Sequence, residues 1–399
     1  MRRPFAIGIL LGLAAMTIRC QAAPAAPADA GADFRVQGEY AGSIGTGGAP
    51  LGVQVVANGQ GQFTAVFLTG GLPGAGWDAA GRSEASGSLQ TEGVRFTATA
   101  AGGFSALLSA DGSGLKGKSP QGDSFNLPKV QRQSPSLGAA PPTGALVLFN
   151  GQNLDAFEKG SAVLDSGLLL PQGSASTGAV TTRSFGNFTL HLEFLEPFMP
   201  DNTGQARGNS GVYLQGRYEL QILDSFGLDI YRGPAGGETQ ECGAFYQLVG
   251  PRLNMSFPPL SWQTYDLDFS KAVFDSAGKA LLKPAVVMVR LNGVLIHENQ
   301  ELKSNTLLGD PVTPADGPIR FQAHGDPVKF RNIWIVENGG TAIRPGLPKQ
   351  QSGKGGASGF LLLGGARFAL NGRATPPTPA SGMYYLMNSN SGATALIRQ

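Results

Sequence analysis

Apolar and polar residues alternate in short runs along most of the chain, and turns rich in Gly separate these runs. From Phe34 to Val130 the runs recur about every ten residues, with turn signals such as Asn58-Gly59 between them. Successive side chains of a strand point to opposite faces, and Asn-Gly favours tight hairpins. The pattern predicts a small antiparallel β meander over residues 34–130, either a barrel or a sandwich.

Longer alternating segments follow between residues 145 and 338, for example 188–194 and 218–223. No convincing amphipathic helix interrupts them, so this region is predicted to be one large two-sheet sandwich. A Ser/Pro/Ala-rich linker is predicted at 131–144, and a Gly/Ser/Pro-rich linker with a short β tail at 339–399. The predicted fold class is therefore all-β.

The N-terminus indicates export. Two arginines precede the apolar stretch 5–18, and small residues follow, which predicts a signal peptide over residues 1–22 and a periplasmic or extracellular location. Lipid attachment at Cys20 is less favoured, because Arg19 stands where such a site needs a small residue. An uncleaved N-terminal membrane anchor is a further alternative, and association with the cell envelope stays open.

Composition narrows the function. Charged residues make up 15% of the chain, the net charge is +2 and no basic stripe is visible, which excludes a nucleic-acid binder. Cys242 is interpreted as a small buried residue rather than a nucleophile. His and Cys residues with metal-ligand spacing are absent from the sequence. A divalent cation held by Asp224, Glu219 and neighbouring carbonyls stays open.

Strand alternation assigns polar side chains to the side opposite the apolar ones in three strands of the second region. Glu, Gln and His side chains together suit a sugar groove, because amides and imidazoles donate to hydroxyls and accept from them. A solvated outer face is the alternative. We expect the three strands to share one polar face. Its candidates are His191, Glu193, Glu219, Gln221, Gln322 and His324.

His324 is the first candidate for acid or base chemistry, since an imidazole titrates near neutral pH. A surface His beside a turn is the alternative. Asn209 lies in a Gly-flanked segment, where the backbone can approach a ligand or form a bulge.

Several segments over residues 145–338 resemble, in order, the 3-keto-disaccharide hydrolase domain family. They include Leu148-Phe149-Asn150-Gly151, Gly208-Asn209-Ser210-Gly211, Tyr218-Glu219-Leu220-Gln221 and Gln322-Ala323-His324-Gly325. The resemblance implies a concanavalin-like jelly roll that binds sugar on one sheet face. It implies an oxidised disaccharide or glycoside as substrate and cleavage of 3-keto-glycosides by base-assisted elimination and hydration.

The resemblance also suggests roles. His324 would act as base or acid with Glu219 as its partner, and Gln221, Gln322 and Asn209 would hold hydroxyls. Arg331 or a cation would stabilise the enolate. Glu193 and His191 would complete the substrate-binding set. The alternatives are a non-catalytic carbohydrate-binding module and a surface adhesion protein, because a fold does not determine a function.

Overall fold

The computed structural model describes residues 26–98, 103–229 and 238–338, and the backbone of short strands between residues 360 and 396. The predicted signal peptide and most of the predicted tail lie outside the described residues. Within the described part, no helix is long and apolar enough to span a membrane.

The first region is a closed barrel with a short helix at its start. A 3-10 helix (Pro27–Asp29) and α1 (Gly31–Val36) precede the strands. The strands are β1 (Gly38–Ile44), β2 (Ala49–Ala57), β3 (Gln62–Thr69), β4 (Leu72–Pro73), β5 (Gly76–Trp77), β6 (Arg82–Gln90), β7 (Gly93–Ala98), β8 (Ser105–Ser109), β9 (Gly114–Lys118) and β10 (Ser124–Gln133). Eight of them run in the order β1-β2-β3-β6-β7-β8-β9-β10, and β1 also pairs with β10, which closes the barrel.

Side chains fill the interior of this barrel. The ring of Phe67 stacks on Phe104 at 4.4 Å and meets Phe125 edge-on at 6.0 Å. The hydroxyl of the buried Tyr40 donates to the carbonyl of Val36 at the end of α1. The interior is therefore a packed core, as expected for a barrel of this strand number.

The second region is a sandwich of two antiparallel sheets. Its strands are β11 (Leu146–Phe149), β12 (Ala162–Asp165), β13 (Leu168–Pro171), β14 (Gly178–Phe185), β15 (Phe188–Leu195), β16 (Ser210–Leu214), β17 (Tyr218–Ile222), β18 (Trp262–Ser270), β19 (Val273–Phe274), β20 (Leu281–Lys283), β21 (Ala285–Leu291), β22 (Val294–Leu302), β23 (Gly317–Gln322) and β24 (Lys329–Glu337). A 3-10 helix (Gly204–Ala206) lies before β16. Four further strands follow: β25 (Phe360–Leu363), β26 (Ala366–Ala369), β27 (Tyr384–Asn388) and β28 (Gly392–Leu396).

The larger sheet has the order β12-β13-β24-β15-β18-β21-β22 with β11 on β24, and the smaller sheet has the order β14-β23-β16-β17. Both sheets contribute to one hydrophobic core, to which β15 supplies Leu190 and Leu192 and β17 supplies Leu220 and Ile222. The all-β class and the jelly-roll sandwich expected from the sequence are confirmed.

The segment 131–144, expected to be a linker, packs against the outer face of the larger sheet. The hydroxyls of Ser134 and Thr264 lie 2.6 Å apart, and the amide of Gly138 donates to Glu193 Oε1 at 2.5 Å. The carbonyl of Ala139 accepts from the side chain of Asn332 at 3.0 Å. We call residues 134–139 the strap.

The expectation of one polar face built from three strands is wrong. The strand that carries His191 and Glu193 is β15, which lies between β18 and β24 in the larger sheet, whereas Glu219 and Gln322 belong to the smaller sheet. Arg331 also lies in the larger sheet, where it donates to Glu193 Oε2 at 2.7 Å. Alternation determines which side of its own sheet a residue takes, but it does not determine which sheet a strand joins.

Beneath the strap, His191 is fully buried between two carboxylates. Its Nδ1 lies 2.6 Å from Asp266 Oδ1 and its Nε2 lies 3.7 Å from Glu193 Oε1. Burial alone would lower the pKa of His191, but the hydrogen bonds and charges of Asp266 and Glu193 raise it to about 9. Burial would raise the pKa of Glu193, yet the nearby His191 imidazole and the donors Asn332, Arg331 and Gly138 lower it to about 2.

This cluster makes folding stability depend on pH. The pKa of folded His191 lies above its ordinary value of 6.5, so the stabilisation is complete below about pH 6.5 and is lost as the pH rises towards 9. The upper limit of this loss is roughly 3 kcal/mol, from the energy per pKa unit. We predict that urea unfolding at pH 6.5 and pH 9.5 will show the decrease in wild type. The free energy of unfolding of His191→Gln should lack this decrease. Other titrating groups, such as Lys129, contribute equally to both proteins, so their effect cancels in the comparison. An equal change in the free energy of unfolding between the two pH values in wild type and variant would contradict this electrostatic account.

Candidate active site

The outer face of the smaller sheet carries a continuous set of polar side chains. Alternation turns the apolar residues of β16, β17 and β23 inward, so their neighbours share the opposite side. This face brings together Asn209, Tyr213, Glu219, Gln221, Arg320, Gln322 and His324. Five of the sequence-predicted residues therefore lie on one face, and His191, Glu193 and Arg331 do not.

A tight hairpin between β16 and β17 sets the register of this face. Gln215 and Gly216 both have positive φ, 54° and 68°, as a type I′ turn requires. The hairpin places Tyr213 opposite Glu219 and Gly211 opposite Gln221. Such turns define the register of the two strands, and the register determines which side chains lie next to the Glu219 carboxylate.

Glu219 is a buried carboxyl group, with only 3% of its surface exposed. The Tyr213 hydroxyl donates to its Oε2 at 2.8 Å. Burial raises the pKa of Glu219 to about 7, although the Tyr213 hydrogen bond and the charge of Arg320 oppose the shift. A carboxyl group of this pKa exchanges protons readily at neutral pH, which suits a general acid or base.

The backbone of Gly211 leaves the space that the Glu219 side chain occupies. A Cβ atom on Gly211 would collide with Oε1 of Glu219 and would lie 2.9 Å from its Cγ. Gly is therefore required here for a close approach, since any larger residue would displace the carboxylate.

Two amide oxygens on this face are buried without a hydrogen-bond partner among the described residues: Oε1 of Gln221 and Oε1 of Gln322. The amide nitrogens are engaged, since Gln221 Nε2 donates to Gln205 Oε1 at 3.0 Å and Gln322 Nε2 donates to the carbonyl of Ala175 at 3.0 Å. A buried acceptor without a partner costs about 1–3 kcal/mol. The acceptor capacity of both oxygens is therefore unused by the described residues.

His324 stands at the exposed end of this face, just after β23. Its Nε2 lies 3.5 Å from Nδ2 of Asn209, whose backbone N–H donates to Asp326 Oδ2 at 2.7 Å. Burial raises the pKa of Asp326. The face thus has an exposed imidazole at one end and a buried carboxyl group, Glu219, within it.

Three residues of the site, Tyr213, Arg320 and Gln205, are not among the sequence-predicted site residues. Tyr213 and Arg320 obey the same alternation as Glu219, which could have identified them. The Arg320 guanidinium lies 3.8 Å from the centre of the Tyr213 ring. Gln205 lies in the 3-10 helix (Gly204–Ala206) within the loop before β16, where the alternation of a strand does not apply. Its role emerges only from its contacts with Asn209 and Gln221.

Other candidate chemistry is less well placed. Among the described residues, no group of three or more His, Cys, Asp or Glu side chains could hold a metal ion. Asp224 pairs with Arg207 at 2.6 Å. Cys242 is buried, and burial raises the pKa of its thiol to about 12, which disfavours a nucleophilic thiolate.

An open cavity of about 400 Å³ lies at the other sheet, beside Glu193, Arg331 and the strap. The Glu193 carboxylate beside this cavity already accepts hydrogen bonds from Gly138, Asn332 and Arg331. A carboxylate with a pKa near 2 is also a weak base at neutral pH. The chemistry therefore points to Glu219 rather than to this cavity.

Comparisons with known proteins agree with the motifs in the sandwich. Residues 144–336 match the family model of the 3-keto-alpha-glucoside-1,2-lyase-like domain. No curated protein matches the chain.

Among solved structures, two proteins from Parabacteroides distasonis ATCC 8503 are provisionally described as glycosyl hydrolases. The first is 31% identical, covers 53% of this chain and 92% of its own, and has a TM-score of 0.42. The second is 20% identical, covers 49% and 94%, and has a TM-score of 0.35.

The family match includes the segments that carry Asn209, Glu219, Gln221, Gln322 and His324, and it supports a glycoside hydrolase-like role. Residues 144–336 therefore belong to the family of 3-keto-alpha-glucoside-1,2-lyase-like domains.

Proposed function

We propose that the sandwich cleaves glycosides whose sugar carries a ketone at carbon 3. The observation that carries this proposal is the buried Glu219 carboxyl group with a pKa near 7, on the same face as two amide oxygens that no described residue engages. Such a face combines a proton acceptor with groups that orient hydroxyls.

The reaction needs little more than proton transfer. A ketone at carbon 3 acidifies the hydrogen on carbon 2, so a base can remove that proton and leave an enolate. The enolate collapses to a double bond between carbons 1 and 2 as the bond from carbon 1 to the leaving oxygen breaks. The leaving group takes up a proton. Addition of water across the double bond restores the 3-keto sugar and completes a net hydrolysis; without this addition the enzyme is a lyase.

Two residues divide the proton transfers in this proposal. Glu219 is the base at carbon 2, because it is buried and its pKa lies near neutrality. His324, exposed at the end of the face, is the acid for the leaving group. Gln221, Gln322 and Asn209 hold sugar hydroxyls. Arg331 lies on the other sheet, so Arg320 beside Tyr213 supplies the positive charge near the enolate.

An exported location is part of the same proposal, supported by the signal-peptide pattern of residues 1–22. Fractionation of the producing cells tests it, and recovery of the full-length chain in the cytoplasm alone would refute it.

Glu219→Gln should reduce kcat on a 3-keto-glucoside with a chromogenic leaving group by about 10²–10⁴-fold, since it removes a general base. KM should change little. The wild-type rate should rise with pH through about 7, as Glu219 ionises, and the variant should lack this limb. Glu301→Gln, at an exposed position of β22, is the matched control. Cleavage by Glu219→Gln within threefold of wild type would rule out this base. Binding of the sugar by wild type without any cleavage would indicate a carbohydrate-binding module instead.

Gly211→Ala should be nearly as damaging, because the added methyl group displaces the Glu219 carboxylate. We expect kcat/KM to fall on the order of 100-fold, as for a small misplacement of a catalytic group. The thermal transition should remain cooperative. Gly47→Ala is the control, since a Cβ there has no heavy atom within 4 Å. Full activity of Gly211→Ala would show that the carboxylate position seen here is not the working one.

A further inference from the structure

The loop that leads into β16, residues 197–209, joins the candidate site to the barrel. It carries Gln205 and Asn209 at its end, and at its beginning it carries Phe198. Phe198 is only 3% exposed and belongs to the hydrophobic core of the barrel. Its ring meets the edge of Phe34, in α1, at a centroid distance of 5.3 Å. The loop is therefore anchored in the other domain by a buried aromatic residue.

Arg207 provides a second anchor, two residues before Asn209. Its Nη1 donates to the carbonyl of Ala57, at the end of barrel strand β2, at 3.1 Å. Its Nε donates to Asp224 Oδ2, in the sandwich, at 2.6 Å. One nearly buried guanidinium group thus bridges the two domains beside the candidate site.

Neighbouring contacts leave little room for the two domains to separate locally. A Cβ on Gly59 in the barrel would lie 3.2 Å from Cα of Asp201 in the loop, so the two backbones approach closely. Arg82 of the barrel donates to the carbonyl of Gly227 at 3.1 Å, close to the end of β17.

Gln205 transmits the position of the loop to the site. Its side-chain oxygen accepts from Nδ2 of Asn209 and from Nε2 of Gln221, each at 3.0 Å. Its backbone carbonyl also accepts from Asn209, at 2.8 Å. Because Gln205 engages the nitrogen of Gln221, the oxygen of Gln221 is left for a ligand.

We infer that the N-terminal barrel is a positioning element of the sugar site: it holds the loop 197–209, and through Gln205 it orients the amides of Gln221 and Asn209 towards a sugar hydroxyl. The part of its test that measures cleavage of a 3-keto-glycoside rests on the proposed function. Through the loop, the barrel acts on the amides that bind rather than on Glu219, so loosening the loop should weaken substrate binding and spare the chemical step.

The test uses the full chain with Phe198→Ala, which removes the aromatic anchor. Hydrogen exchange of peptides that cover 197–209 should accelerate at least tenfold, because exchange follows local opening. KM for a 3-keto-glucoside should rise about tenfold while kcat stays within threefold, the pattern of lost ground-state binding. Phe198→Leu should restore most of both values. Phe274→Ala, the same change at a partly buried site on β19, is the matched control.

Arg207→Lys is the second variant, chosen in case Phe198→Ala folds poorly. A lysine can pair with Asp224 but cannot also reach Ala57 with the fork of a guanidinium group. It should raise KM severalfold and accelerate exchange in the same peptides. A loss of stability alone would reduce the active fraction, and with it kcat, while KM stayed unchanged.

The two readouts separate this inference from the proposed function. If wild type cleaves no 3-keto-glycoside but exchange in 197–209 accelerates in both variants, the proposed function fails and the positioning role of the barrel stands. If exchange and KM in both variants match wild type, the barrel does not position the site. A drop in kcat with unchanged KM would also overturn the inference.

Discussion

A two-sheet sandwich imposes one constraint on every strand: only one of its two faces can join the shared core. The alternate residues of each strand lie on the other face, and any polar group buried there needs a hydrogen-bond partner. The two sheets of this protein meet the constraint in opposite ways. The strap provides partners for Glu193 and Asn332 on the larger sheet, while the smaller sheet keeps buried amide oxygens that have no partner within the described part of the chain.

Two glutamates show what this difference does to chemistry. Glu193 and Glu219 occupy equivalent outward positions on strands of the two sheets, and both are almost completely buried. Several donors surround Glu193 and hold its pKa near 2, whereas burial raises the pKa of Glu219 to about 7 against the Tyr213 hydroxyl and the charge of Arg320. The same side chain therefore serves as a structural anion in one sheet and as a candidate base in the other.

Much of this site was accessible from the sequence, because alternation is a local property. It predicted that Glu219 and Gln221 point away from the core, and the ordered motifs predicted the sandwich. It could not assign β15 to a sheet, since pairing between distant strands depends on the whole topology. It also gave no signal for Gln205 in its loop or for the packing of residues 131–144, because the partners of an irregular segment are determined by tertiary contacts.

In both the barrel and the sandwich the first strand pairs with the last, and this has a consequence for how the molecule folds. The barrel closes when β1 meets β10, whereas β11 of the sandwich pairs with β24, close to 190 residues later in the chain. During synthesis the barrel can therefore complete its hydrogen bonding well before the sandwich can, since contacts of high sequence separation form late. The barrel is then already folded when Phe198 is synthesised, and its core is available to the Phe198 ring. The carboxylate, amides and imidazole of the site come together last.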